Sequence, residues 1–116
     1  MSTITRRHSD SRLSRVVTHN GTAYLAGLTA DNRSASIKGQ TEEVVTKIDA
    51  LLKLAGTDKS KIISATIWVS DIRFRDPMNE VWIEWTGGKD LPGRACIEAK
   101  LANPLLQVEI AVVAAK

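Results

Sequence analysis

Apolar and polar residues alternate in two short runs near the start of the chain, Arg15 to Asn20 and Thr22 to Gly27, on either side of Asn20-Gly21. Asn-Gly between alternating runs is a strong hairpin signal, because both residues tolerate the positive φ that a type I′ turn requires. The polar stretch from Thr29 to Ser36 gives way to Ile37, Val44, Val45, Ile48, Leu51, Leu52 and Ala55, spaced by three, four or seven. That spacing predicts a helix with one apolar face. Glu42 and Glu43 lie nearer its start and Lys53 near its end, as the helix dipole favours, and Gly56 is placed to stop it.

Period two returns from Lys61 to Ser70, where Ile63, Ala65, Ile67 and Val69 alternate with Ser64, Thr66 and Trp68 and predict a strand. Asp76-Pro77 reads as an N-cap and first helical residue, and Met78, Val81, Trp82 and Trp85 mark one face of a second helix ending at Gly87-Gly88. The last quarter predicts a second hairpin. In it Ala95, Ile97, Ala99 and Leu101 alternate against Arg94, Cys96, Glu98 and Lys100. Leu106, Val108, Ile110 and Val112 then alternate against Gln107, Glu109 and Val113, with Asn103-Pro104 as the turn. The order strand, strand, helix, strand, helix, strand, strand predicts an α+β fold, one mixed sheet with both helices packed on one face. No linker, repeat or low-complexity tract interrupts it, so residues 1–116 read as a single domain.

The face away from the helices would carry Trp68, Ala111 and Val113 beside polar groups. It is too apolar to leave wholly in water and too polar for a monomer's core. A homo-oligomer that buries part of it is the simplest reading; a merely mixed outer face is the alternative.

Composition narrows the chemistry. At 116 residues, 43% of them hydrophobic, the chain can bury a core without disulfides or a structural metal. One cysteine, Cys96, and two histidines, His8 and His19, give no intramolecular disulfide and no zinc or iron–sulfur ligand set, which fits a reducing cytoplasm. Sixteen Lys and Arg against thirteen Asp and Glu leave +3, spread along the chain rather than gathered in a block, so nucleic acid is not expected as a partner. The densest basic stretch, Arg6, Arg7, Arg12 and Arg15, lacks the apolar segment of a secretory signal. No run approaches the roughly 18 apolar residues of a membrane span, and a soluble, unprocessed protein is expected.

The familiar hydrolase, metalloprotease and nucleotide-binding signatures are missing from the sequence. Parity within the predicted second hairpin places Arg94, Cys96 and Glu98 on the same side as Gln107 and Glu109, all five facing away from the helices. Register slips by two leave Glu109 opposite Cys96, Glu98 or Lys100. An arginine binds a carboxylate through two parallel hydrogen bonds, and a nearby glutamate can orient or deprotonate a water. A small carboxylate substrate would suit the pair. The ordinary alternative is a solvated ion pair worth about 0 to 1 kcal/mol. Cys96 reads as a small, partly buried hydrophobe, since no histidine lies near it in sequence to lower its pKa. Trp82 and Trp85 read as core, Trp68 as the aromatic placed to line a pocket, and Asn79 as a residue finishing the start of the second helix.

Taken in order, several short segments resemble the reactive-intermediate deaminases, the Rid or YjgF-type family, and in particular its shorter YoaB-like members. They are Tyr24-Leu25-Ala26-Gly27, Gly39-Gln40-Thr41-Glu42, Ala65-Thr66-Ile67-Trp68-Val69, Met78-Asn79 with Trp82, Pro92-Gly93-Arg94-Ala95-Cys96 and Val108-Glu109-Ile110. The resemblance spans nearly the whole chain. It implies a chorismate-mutase-like fold assembled as a homotrimer, with the sheets packed inside, the helices outside and three clefts between subunits. It also implies hydrolysis of 2-imino and 2-enamino acids to 2-oxo acids and ammonia, without a cofactor. Carried over by position, Arg94 would grip the substrate carboxylate and Glu109 would position or activate the attacking water. Cys96 and Asn79 would line the cleft, and Gly27 would lie where backbone amides approach the substrate. The chain departs from the founding deaminases near the start of the first main strand, where they carry a Tyr and it has Leu13 and Ser14. A trimeric protein that holds a small 2-oxo acid or other carboxylate metabolite without turnover is the alternative from another functional class. Ribonuclease activity or RNA binding ranks below both, since no basic stripe with interleaved aromatics is present.

Overall fold

Asn20 and Gly21 both adopt positive φ, 50° and 74°, and close the first predicted hairpin as expected. They join β2 (Ser14–His19) to β3 (Thr22–Leu25), with His19 opposite Thr22. The computed structural model describes residues 3–116. In chain order the remaining elements are β1 (Thr5–Ser9), α1 (Ile37–Leu54), β4 (Ile62–Val69), α2 (Arg75–Thr86), β5 (Gly93–Glu98) and β6 (Val108–Ala115). They form one six-stranded mixed sheet in the order β1-β2-β3-β6-β4-β5. The inward residues of the sheet, among them Val16, Leu25, Ile67, Val69, Ile110 and Val112, join Val44, Ile48 and Leu52 of α1 and Met78, Val81 and Trp82 of α2 in one core. Both helices therefore cover the same face. Neither is long and apolar enough to cross a membrane.

Local chemistry sets the helix ends. Ser36 caps α1 by accepting from the Gly39 amide, and Gly56, at φ 83°, ends it in the left-handed region that favours glycine. Inside the first turns Gln40 is fully buried. Its Nε2 donates to the carbonyls of Ala35 and Leu105, and its Oε1 accepts from the Gln107 amide at 2.9 Å. The start of α1 is thereby tied to the segment that leads into β6. Part of the Gly39-Gln40-Thr41-Glu42 segment thus serves packing rather than chemistry.

Four sequence expectations change. A strand, β1, precedes the first predicted one; its residues are all exposed, so no apolar alternation marks it, and backbone pairing with β2 alone defines it. The second helix begins at Arg75 rather than after Asp76, because a 3-10 turn over Ile72–Phe74 runs straight into it. Asp71 caps that turn by accepting from the Arg73 amide, and Asp76 and Pro77 fall in the first turn of α2.

The second hairpin does not form. Asn103-Pro104 does make a turn, with the Leu106 amide donating to the Asn103 carbonyl at 3.0 Å, but the chain crosses β4 before it pairs again. The helix α2 carries the chain back to the end from which β4 started, so β5 runs parallel to β4, and β6 enters antiparallel between β3 and β4.

Parity changes with that topology. Paired residues share a face, and Ala65, Ile67 and Val69 of the core lie opposite Arg94, Cys96 and Glu98 on β5. These three side chains belong to the helix-covered face, while Glu109, opposite Trp68, belongs to the other. The expectation that Arg94, Cys96, Glu98 and Glu109 share the open face is thus overturned. The reason is the edge position of β5, which presents Ile97, 47% exposed, outward while α2 meets its polar side chains.

Candidate functional site

The predicted site residues gather into two clusters. The first is built between the edge strand β5 and α2. Asn79 and Trp82 stand three residues apart, which puts them on one face of α2. Arg94 reaches over that face. Its Nη1 donates to Asn79 Oδ1 at 2.7 Å, and its guanidinium carbon lies 5.5 Å from the centroid of the Trp82 ring. Arg94 is exposed, yet held at one edge by the amide and against the ring by cation–π attraction. It forms no ion pair among the described residues. The solvated ion pair weighed from the sequence is therefore not what holds it, and part of its donor fork stays free for an anion.

Cys96, half-buried, follows two residues along the same face. Burial pushes its thiol above the usual range, and the charges of Arg94 and Arg75 offset this only in part. At neutral pH it is a thiol, suited to packing or weak donation and unsuited to nucleophilic attack. Glu98 completes the frame: its Oε1 accepts from the Ile72 amide at 2.8 Å, which fixes the turn leading into α2 and hence the place of Asn79.

The second cluster lies on the open face. Glu109 sits on β6 opposite Trp68 of β4, and not opposite Cys96, Glu98 or Lys100. Gly27 adjoins it: a Cβ there would overlap Glu109 Oε2 and stand 3.0 Å from its Cδ. Glycine at this position therefore leaves the carboxylate its room. The adjoining segment is pinned to β6 by paired backbone bonds between Leu28 and Ile110, 2.9 and 3.1 Å long. Gly27 and Glu109 line a concavity of about 650 Å³ that also includes Leu13 and Arg15 and reaches past the loop after β3 to Lys47, Ala50 and Leu51 of α1. Trp68 is half-buried on the same open face.

Arg94, Asn79 and Cys96 are thus brought together, as are Glu109, Gly27 and Trp68, but within one chain the two groups stand on opposite sides of the sheet. Sequence reasoning missed Trp82 as a support for Arg94, since burial in the core and contact with a surface guanidinium are compatible for a large ring. The spacing of Asn79 and Trp82 on one helical face was the available signal. Arg15 was missed as well, and Glu98, grouped with Arg94 and Cys96 by parity, was given no role of its own; only tertiary contact distinguishes the two from other surface charges.

The family model described as Endoribonuclease L-PSP matches residues 3–116. A RutC family protein of Haemophilus ducreyi is 41% identical over 97% of this chain and 96% of its own length. The RutC family protein YoaB of Escherichia coli K12 is 39% identical over 97% of this chain and 98% of its own. Among solved structures, a YjgF family member from Neisseria meningitidis superposes with a TM-score of 0.95 at 35% identity, covering 98% of this chain and 95% of that one.

Proposed function

The chain belongs to the Endoribonuclease L-PSP family, whose relatives carry the names RutC and YjgF, and we propose that it hydrolyses 2-imino and 2-enamino acids to 2-oxo acids and ammonia. The observation that carries this reading is the Arg94 guanidinium, oriented by Asn79 and Trp82 and unpaired with any carboxylate among the described residues. A planar fork held in this way suits the two oxygens of a substrate carboxylate.

Arg94 and Glu109 act on one substrate only if they come from two copies of the chain. The edge strand β5, with Ile97 exposed, and the half-apolar open face support such an assembly, because unpaired edges and apolar faces are ordinarily covered. A homotrimer with a cleft at each subunit boundary, as the family resemblance implies, would set Arg94, Asn79 and Cys96 of one copy against Glu109, Gly27 and Trp68 of the next.

In such a cleft Arg94 holds the substrate carboxylate and fixes the imine carbon near Glu109. A protonated imine is already electrophilic, so orientation, a water and complementary charge supply most of what hydrolysis needs. Glu109 accepts a proton from the water as its oxygen bonds to the imine carbon, and the C=N double bond becomes a C–N single bond. Returning that proton to nitrogen lets the C–N bond break: Glu109 takes up the hydroxyl proton of the adduct as the C=O forms and ammonia leaves. No covalent enzyme intermediate enters this scheme, in keeping with Cys96 as a neutral thiol.

The test is direct: pure protein added to 2-iminopropanoate generated in place should speed pyruvate formation above the spontaneous rate. Binding of 2-oxobutanoate without any effect on imines would favour a carboxylate-binding protein instead. Ribonuclease activity, named in the family description, is the weaker fit, because neither cluster interleaves aromatics with a basic stripe; steeply salt-dependent RNA binding would favour it.

A further inference from the structure

The concavity beside Glu109 carries more positive charge than hydrolysis of a small aliphatic imine needs. Arg12, Arg15, Arg33 and Lys47 all line it, against Asp31 and Glu109 as the only carboxylates among the described residues. Most of the opposite charge nearby is already committed. Lys47 Nζ donates to the Thr29 carbonyl at 2.7 Å and pairs with Asp31 and Glu43, each at 3.2 Å. Glu43 also accepts from the amides of Asp31 and Asn32, so the loop over residues 29–32 is pinned to α1 and its one acid, Asp31, is paired there. Asp10 is taken up by the amides of Arg12 and Leu13. Arg15 and Arg33 form no ion pair among the described residues, which leaves unpaired guanidinium groups facing a hollow whose one free acid is Glu109.

Arg15 has the best position. It lies on β2 with its carbonyl accepting from the Ala26 amide, next to Gly27, and it is half-buried where Arg12 and Arg33 are exposed. Its strand is separated from β6 by β3 alone, about 10 Å at the usual interstrand spacing. A substrate carbon held near Glu109 and a distal group two or three carbons further on would span that gap together with the arginine's own length.

We infer that the concavity selects 2-imino acids bearing a second carboxylate on the side chain, with Arg15 as the residue that reads it. This rests on the deaminase reading above and deepens it to a substrate class, dicarboxylic 2-imino acids. Leu13, which lines the same hollow, offers no hydroxyl to compete for that carboxylate.

Rates should be measured for the full chain with 2-iminoglutarate, 2-iminosuccinate and 2-iminopropanoate, each generated in place by an amino-acid oxidase. The expected result is a higher kcat/KM for 2-iminoglutarate than for 2-iminopropanoate, a ratio that falls about tenfold or more in Arg15→Gln, the usual loss of a charge-assisted hydrogen bond. Arg15→Lys, which keeps the charge, should retain part of it. A wild-type preference for 2-iminopropanoate, or a ratio unmoved by Arg15→Gln, overturns the selectivity while leaving the deaminase reading in place. If no imine is accelerated, the deaminase reading itself fails, and calorimetry decides the selectivity separately. Tighter binding of 2-oxoglutarate than of 2-oxobutanoate, lost in Arg15→Gln, would support it; equal binding or none would refute it.

Discussion

Arg94 and Glu109 occupy opposite faces of the same sheet, with β4 between the strands that carry them. A guanidinium on the helix-covered side of an edge strand cannot fold through the sheet to a carboxylate two strands inward. If the two groups serve one reaction, the site is completed by a neighbouring copy.

That arrangement predicts complementation. Arg94→Ala and Glu109→Gln should each be inactive alone. Co-expressed in equal amounts in a cyclic assembly, each site has about one chance in four of receiving both intact residues. Roughly a quarter of wild-type imine hydrolysis should then return; a mixture as inactive as its components would place the two residues in separate roles.

Removing the fork should separate chemistry from architecture. Arg94→Ala is expected to lower kcat/KM for 2-iminopropanoate by roughly a hundredfold or more, with the melting temperature and the sedimentation profile unchanged. Arg94→Lys should recover little, because a point ammonium cannot reproduce a bidentate contact. Wild-type rates in either variant would discard the proposed carboxylate clamp.

The Gly27–Glu109 contact gives an independent probe. Alanine at 27 brings no conformational penalty from φ, but its methyl would take the space of the Glu109 carboxylate and turn that side chain aside. Hydrolysis should weaken in Gly27→Ala with little change in urea midpoint; undiminished turnover would mean that the carboxylate's position is immaterial.

Gln40 tests stability rather than chemistry. Gln40→Leu keeps the bulk but leaves the Ala35 and Leu105 carbonyls and the Gln107 amide without their side-chain partner. A loss of about 3 kcal/mol or more is expected, the low end of the sum for three unsatisfied groups, and thermal unfolding of the variant measures it.

Acid sensitivity should trace in part to Glu43. The Asp31 and Asn32 amides, then Lys47, hold its carboxyl below the ordinary range. The unfolded chain therefore binds this proton more readily than the folded one, so the contribution is complete above the unfolded-state pKa and is lost as the pH drops through the folded-state value. Urea midpoints followed from neutral to acid pH should decline less in Glu43→Gln than in wild type; parallel curves would contradict the assignment.

Local patterns marked α1, α2, the Asn20-Gly21 hairpin and the alternating strands, because each is specified by neighbours in sequence: Ser36 and Gly56 bound one helix, and Gly87, at φ 69°, ends the other. The resemblance named Arg94, Glu109, Cys96, Asn79 and Gly27 as candidates. Their grouping was not legible. Alternation reports that Arg94, Cys96 and Glu98 share a side but cannot say which side, since that depends on the strand β5 joins. Asn103-Pro104 suggested a hairpin partner, whereas the structure pairs β5 with β4 in parallel.

Residue types and periods determined the elements, the apolar faces and the supply of a guanidinium, a carboxylate and a permissive glycine. The tertiary structure decided that β6 inserts between β3 and β4, that Arg94 leans on Asn79 and Trp82, and that Glu109 looks the other way. These are outcomes of long-range pairing, in which one choice of neighbour reassigns the face of every side chain on a strand, and a period of two carries no record of that choice.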